Sequence, residues 1–434
     1  MMPKVDLLIL ASQIATPSQP GPAKGEKMGE VLVIGDGAIA VDDGLIVDLG
    51  PQKEILGKYT ARETLNFTGC TATPGMVDPH THLVFAGDRV DEFELRLKGA
   101  TYLEIMAAGG GIMSTVRKTR QATFESLLKE ARKRLLSFLA SGTTTVEIKT
   151  GYGLETAAEL KLMDVILALR SEGPLDVVPT FLGAHAFPEE FRDKPDAYVE
   201  LLTEEMLPAL ARWADEKGIE REKIFCDVFC DEGAFNLEQS AKVLRKAKEL
   251  GFSLKIHSDE FKSLGATGLA VELGAASADH LAATPPEEAL KLAGSDTVGV
   301  ILPGTSFGLG HRHFADGKGL IEKGVALALG TDFNPGTCWC ESMPFMMALA
   351  CRYCGLYPSQ ALTASTLNAA YALKLGDKIG SLDKGKQADI AIWEIPDYRH
   401  LAYRFGAMKA KAVIKRGKMV YPVYPDSTHA PAHS

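Results

Sequence analysis

The stretch Thr73-Pro74-Gly75-Met76-Val77-Asp78-Pro79-His80-Thr81-His82 decides the fold. A Pro-Gly break opens it, a short apolar run follows, and the run ends in two histidines. On an extended strand residues i and i+2 point to the same side, so His80 and His82 can grip one ion. A lone His-x-His pair is more often solvated or structural. Its weight here comes from what recurs downstream.

Residues 76–80 form the first of eight short apolar runs. The others are 144–148, 176–182, 224–229, 253–256, 276–279, 297–302 and 325–329. Helical patterns such as 124–140, 198–217 and 237–250 fall between them, which is the rhythm of βα units. The reading is a (β/α)8 TIM barrel over residues 71–374. Short β-type runs with Gly and Asp turns occupy both ends (6–10, 31–34, 38–41, 45–49, then 388–394 and 412–420). They predict one small β domain composed of residues 1–70 plus 375–425, followed by a frayed tail at 426–434.

Polar residues stand just past five of the runs. They are His80 and His82 after the first, His185 after the third, His257-Ser258-Asp259-Glu260 after the fifth, Asp279-His280 after the sixth and Asp332 after the eighth. In a barrel these ends converge on one face, where catalytic groups sit. His80, His82, His257 and Asp332 are the expected metal ligands. Imidazole and carboxylate suit zinc or iron. An Asp after an apolar strand is ordinarily a helix N-cap, and the company of the other strand ends favours the ligand reading. A metal of this kind activates water near neutral pH; His280 or Asp332 is the candidate to take its proton, and His185 with the metal to stabilise the developing oxyanion. Glu260, three residues beyond His257, is placed to exchange protons with a ring nitrogen of a substrate. The plain alternatives are a hydrogen-bonded core histidine and a surface glutamate.

This constellation resembles the amidohydrolase superfamily. Asp78 to Phe85, Glu104-Ile105-Met106 with Gly109 to Ile112, Glu147 to Leu154, and Gly330 to Gly336 together are similar to the imidazolonepropionase family. The likeness runs from about residue 30 to 420. It implies hydrolysis of 4-imidazolone-5-propanoate to N-formimidoyl-L-glutamate, the third step of histidine degradation. It also implies one divalent ion (Zn or Fe), a β-sandwich-like small domain beside the barrel, and a cytoplasmic homodimer. Carried residue by residue, it assigns Arg89, Tyr152, His185, Glu260, Asn334, Gly336 and Thr337 to the substrate, and His280 to water activation. Thr337 departs from the Ser of many members but keeps a hydroxyl. The Arg89 fork suits the carboxylate arm of such a substrate, or else pairs with Asp91 or Glu92. The fourth run ends Phe229-Cys230-Asp231-Glu232, without the lysine that two-metal relatives place there, so a single ion is expected. Lys149 comes too early to take that part.

Several functions are disfavoured. A net charge of −9 without a long basic run argues against nucleic acid and anionic membranes. No apolar run approaches about 20 residues, and the one near the start is too short for a signal peptide. Seven cysteines read as reduced cytoplasmic thiols. His311 and His313 lie in a Gly-rich loop, His429 and His433 in the tail, and Cys351 and Cys354 in a helical pattern. None is expected at the metal. The alternative is another hydrolase of a cyclic amide or amidine, such as a nucleobase deaminase, for which a carboxylate clamp has no use.

Overall fold

The computed structural model describes residues 2–100, 104 and 109–422. The expected tail, with His429 and His433, lies outside these residues, as do residues 105–108 of the stretch running into the Gly-rich loop.

Eight strands pair in sequence order: Met76–Asp78, Thr143–Lys149, Asp176–Ala184, Phe225–Cys230, Ser253–Ser258, Ser277–His280, Val298–Ile301 and Leu327–Leu329. Every neighbouring pair is parallel. The ring closes at its upper rim. The His80 carbonyl accepts from Asp332 N–H (3.0 Å), and His82 N–H donates to the Phe333 carbonyl (2.8 Å). Just below, the Asp78 carboxylate accepts from Thr331 N–H (3.1 Å) and Thr331 Oγ1 (2.6 Å). The seam therefore passes through the metal-ligand segments themselves. Every residue of Thr143–Lys149 is buried, so Glu147 and Lys149 are enclosed within the fold.

Helices pack between the strands as the apolar spacing predicts. Phe124–Ala140 starts where Thr123 accepts from Ser126 N–H, and Leu237–Glu249 starts with a reciprocal Asn236/Gln239 capping box. The helix expected over 198–217 is instead three pieces: Pro195–Leu201, a π-turn at Leu202–Met206, and Leu207–Glu216. Pro208 has no N–H to give to the carbonyl four residues earlier. The chain widens by one residue there, and Leu207 N–H reaches back to Leu202.

Both ends of the chain build a second sheet of seven strands. Its order is Lys418–Tyr421, Ala412–Lys415, Ile390–Trp393, Thr60–Pro74, Lys4–Pro17, Val31–Asp42 and Leu45–Pro51. Arg416 and Gly417, both at positive φ, form the turn between Ala412–Lys415 and Lys418–Tyr421. Ile9, Ile14, Ile39, Ile390 and Ile414 share one buried cluster on this sheet. Thr60–Pro74 runs straight into the first barrel strand, so the sheet holds the barrel at its starting point.

Candidate active site

Five strand ends bring their polar residues to one mouth, as the sequence predicts. The His80 and His82 rings, projecting from the first strand's end, meet His257 from the fifth, with ring centroids 4.4 and 5.4 Å from it. Asp332, from the eighth, places Oδ1 at 3.5 Å from His80 Nε2 and 3.3 Å from His82 Nε2. His257 Nε2 lies 3.4 Å from His82 Nε2. Thr305 Oγ1 donates to Asp332 Oδ2 at 2.5 Å and fixes the carboxylate's turn. All four side chains are buried.

These distances test whether a metal fits. Four ligands around a zinc-like ion with bonds of about 2.0–2.1 Å stand roughly 3.3–3.4 Å apart along a tetrahedral edge. The observed 3.3–3.5 Å separations match. His80 Nε2 is buried without a hydrogen-bond partner, and two ring nitrogens face each other beside a carboxylate, an arrangement that calls for a cation. Burial, reinforced by neighbouring cationic groups, holds His80 and His82 well below the usual imidazole range. Neutral imidazoles are the form that binds metal. Among the described residues the two candidate groups, His80/His82/His257 and His80/His280/Asp332, share His80, so there is one nest. Glu232 is exposed and paired with Lys262 at 2.7 Å, away from it.

Groups below the nest orient it. His80 Nδ1 donates to Asp279 Oδ2 at 2.7 Å, which turns Nε2 toward the ligand cluster. His257 Nδ1 lies 3.0 Å from Asp227 Oδ2, and His257 N–H donates to Asp227 Oδ1.

Glu260 and His280 stand together, with His280 Nδ1 3.6 Å from Glu260 Oε2. Burial, then the nearby Asp332 and Asp231 charges, hold Glu260 well above the usual carboxylate range. Burial drives His280 down to about 3, against the pull of Asp332. Burial thus favours the protonated form of Glu260 and the neutral imidazole of His280. His280 has φ +85°, Asp332 +52°, Asp259 +57° and Leu154 +50°, left-handed conformations that non-glycine residues take where surrounding packing enforces them.

The expected substrate residues gather at the same mouth. His185 stacks on His82 (4.9 Å, 20°) and bonds the Gly151 carbonyl through Nδ1 at 3.0 Å. Tyr152 is buried, its ring 5.3 Å from that of His185, and burial with the Asp332 charge keeps its phenol protonated. Arg89 gives its Nε to Glu92 (2.8 Å), so the pairing weighed from sequence is present. Its terminal nitrogens remain turned to Gly336, where an added Cβ would lie 2.2 Å from Nη1. Asn334 is occupied within its own loop. Its amide donates to the Asp332 carbonyl and Thr337 Oγ1 and accepts from Gly336 and Thr337 N–H. Its side chain therefore shapes the loop that carries Gly336 and Thr337. His313 bonds the Ala282 carbonyl, outside any metal-ligating group among the described residues.

Sequence reasoning missed the supporting groups. Buried Glu159 accepts from Gly151, Gly153 and Leu154 N–H at 3.0, 2.7 and 2.7 Å, fixing the turn that presents Tyr152 and the carbonyl that orients His185. Glu92 joins Arg89 to Gly111 N–H in the same way. The available signal was position: Glu159 sits in the first turn of the helix after the Gly-Tyr-Gly turn.

Comparison with known proteins agrees. The model of the amidohydrolase family matches residues 71–420. An imidazolonepropionase of Herpetosiphon aurantiacus is 52% identical over 96% of this chain and 98% of its own. One of Symbiobacterium thermophilum is 47% identical over 96% and 98%. Among solved structures, a zinc-bound adenosine deaminase from Xanthomonas campestris superposes with a TM-score of 0.71 at 20% identity, covering 96% of this chain and 93% of that one. E. coli guanine deaminase superposes with a TM-score of 0.69 at 16% identity, covering 95% and 99%. The likeness to these structures is one of fold. The chain belongs to the amidohydrolase family, within its imidazolonepropionase branch.

Proposed function

We propose that the chain catalyses the imidazolonepropionase reaction: water opens the ring amide of 4-imidazolone-5-propanoate to give N-formimidoyl-L-glutamate in histidine degradation. The observation that carries this reading is the presence, in one barrel mouth, of the His80/His82/His257/Asp332 nest, the Glu260–His280 pair and the Arg89 guanidinium, whose terminal nitrogens bond no other described residue. Together they match a substrate with a ring to open and a carboxylate arm to hold.

His80, His82, His257 and Asp332 would hold one ion, zinc or iron, which would supply Lewis acidity and lower the pKa of a bound water. Arg89 takes the propionate arm, Tyr152 donates its O–H, and His185 lies against the ring. His280, neutral and with a free Nε2, accepts the proton of the attacking water. Glu260, whose protonated form burial favours, delivers a proton to the departing ring nitrogen. The water oxygen becomes part of the new carboxylate, the C–N bond breaks, and the proton count balances.

We further assign the layout of a catalytic barrel (71–374) with a composite small domain (1–70 plus 375–425), acting as a cytoplasmic homodimer without nucleic-acid or membrane partners. Free thiols at all seven cysteines support a reducing compartment. The exposed Tyr353, Tyr357, Tyr403 and Phe405 support a subunit contact. No helix among the described residues is long and apolar enough to cross a membrane.

The test is metal analysis of the purified protein with an assay on freshly prepared imidazolone propionate. Turnover is expected, lost to a chelator and restored by zinc or ferrous ion. Absence of turnover with every reloaded metal, or faster deamination of a free nucleobase, would overturn the assignment.

A further inference from the structure

Lys149 lies wholly buried beneath the ligand nest. A buried ammonium needs partners, and the ones it has are informative. Its Nζ stands 2.7 Å from Glu147 Oε1, 2.8 Å from Asp227 Oδ2 and 3.9 Å from Asp279 Oδ2. Each of these carboxylates touches a different part of the nest. Asp279 accepts from His80 Nδ1. Asp227 lies against His257 Nδ1, using the same oxygen that faces Lys149. Glu147 Oε2 accepts from the N–H of Thr81, the residue between His80 and His82. Lys255 reaches Asp279 (3.4 Å) and Ser277. Among the described residues, Lys149 is the cation paired with both orienting aspartates.

We propose that Lys149 is a positioning residue for the metal centre, tying the carboxylates behind His80 and His257 and the backbone between His80 and His82 into one unit. The physical reason is repulsion. Three carboxylates drawn toward one point would swing apart or take up protons without a cation among them. Either response loosens the hold on Nδ1 of two ligand rings, and the rings then lose the aim of their Nε2 atoms. The strand explains the placement. Residues 147 and 149 share a face, so one strand delivers both the acid and the base.

The inference rests on the metal-centre reading above, and its test separates the two. Lys149→Met keeps the stem length without the charge. Lys149→Met/Glu147→Gln removes one positive and one negative charge together, so it folds without an added buried net charge while Asp227 loses its lysine and Asp279 keeps Lys255 alone. Zinc affinity is read by competition with a chromogenic chelator, and the ligand field by visible absorption of the cobalt(II)-loaded proteins. Thermal unfolding of the metal-free proteins reports the fold.

Both variants are expected to bind zinc about 10- to 100-fold more weakly, the usual range for groups that support metal ligands, with an altered cobalt spectrum. Unchanged affinity and spectrum with only a lowered metal-free Tm would reduce Lys149 to a structural cation and overturn the proposal. Tighter binding would overturn it too, because loss of a repelling charge would then outweigh positioning. A wild-type protein that binds no metal would instead overturn the metal-centre reading.

Discussion

Gly336→Ala is the sharpest test of how the substrate is held. At this position the added methyl would stand 2.2 Å from Arg89 Nη1 and 2.9 Å from Arg89 Cζ. Gly336 is not at positive φ, so the backbone accepts alanine without strain. The atom that must yield is the end of a flexible side chain, and ordinary contact distance requires the guanidinium to retreat by at least about 1 Å. Arg89 resists through its 2.8 Å bond to Glu92, so the displacement falls on the terminal nitrogens that face the substrate arm. Misplacing one charge-assisted hydrogen bond costs about 1.5–3 kcal/mol, a loss of roughly 10- to 150-fold in kcat/KM.

The loss should appear mainly as a raised KM, since the arm is bound in ground and transition states alike. Steady-state kinetics on the natural substrate and on an analogue with an uncharged propanamide arm provide the assay. The analogue, already poorly bound, should suffer little further loss. Zinc content and Tm should match wild type. A KM within twofold of wild type, or equal losses for both substrates, would refute the view that Arg89 holds the carboxylate.

Other outcomes follow from the same geometry. Glu159→Ala leaves three buried N–H groups without their acceptor and should lower stability by roughly 2–5 kcal/mol, with a raised KM because Tyr152 and His185 lose their support. Denaturant unfolding and kinetics on the same preparation check both effects. His280→Ala should reduce kcat by about 10²- to 10⁴-fold at unchanged metal content, and near-normal kcat would remove His280 as the proton acceptor. For the metal-free protein, burial lowers the pKa of His80, His82, His185 and His280 in the fold. For these four groups the unfolded chain binds more protons than the native one below about pH 6.5, so their contribution to stability is complete above that pH and falls on acidification. The raised carboxyls of Asp78, Glu147, Glu159 and Glu260 act in the opposite sense. Each such histidine adds a slope of up to about 1.4 kcal/mol per pH unit, which urea titrations between pH 7 and 5 will measure.

The barrel was legible because its strands are short apolar runs ending in polar residues, and that pattern survives without any knowledge of contacts. The nest was legible for the same reason: His80, His82, His257 and Asp332 each stand at a strand end. Lys149 and Glu159 were not. In sequence a lysine two residues from a glutamate on a strand looks like a solvated pair, and only the closed ring shows that both point inward. Glu159 could be any acid in a first helical turn until three backbone N–H groups are seen to converge on it. The π-turn before Pro208 escaped because periodicity continues through it while the hydrogen-bond ladder does not.

The composite sheet has a consequence for how the protein is made. Gly75 N–H, at the threshold of the first barrel strand, donates to the carbonyl of Asp389, and Thr71 to Pro74 pair with Ile390 to Trp393. Lys415 then binds both Asp389 and Asp176 of the third barrel strand. During synthesis the strand that carries His80 and His82 is among the earliest to leave the ribosome, yet its neighbours across the seam are among the latest. The first strand can pair with Thr143–Lys149 early, but its partners across the seam and in the composite sheet come only much later in translation. Deletions within residues 389–421, far in sequence from any ligand, should accordingly show up first as protein that fails to mature.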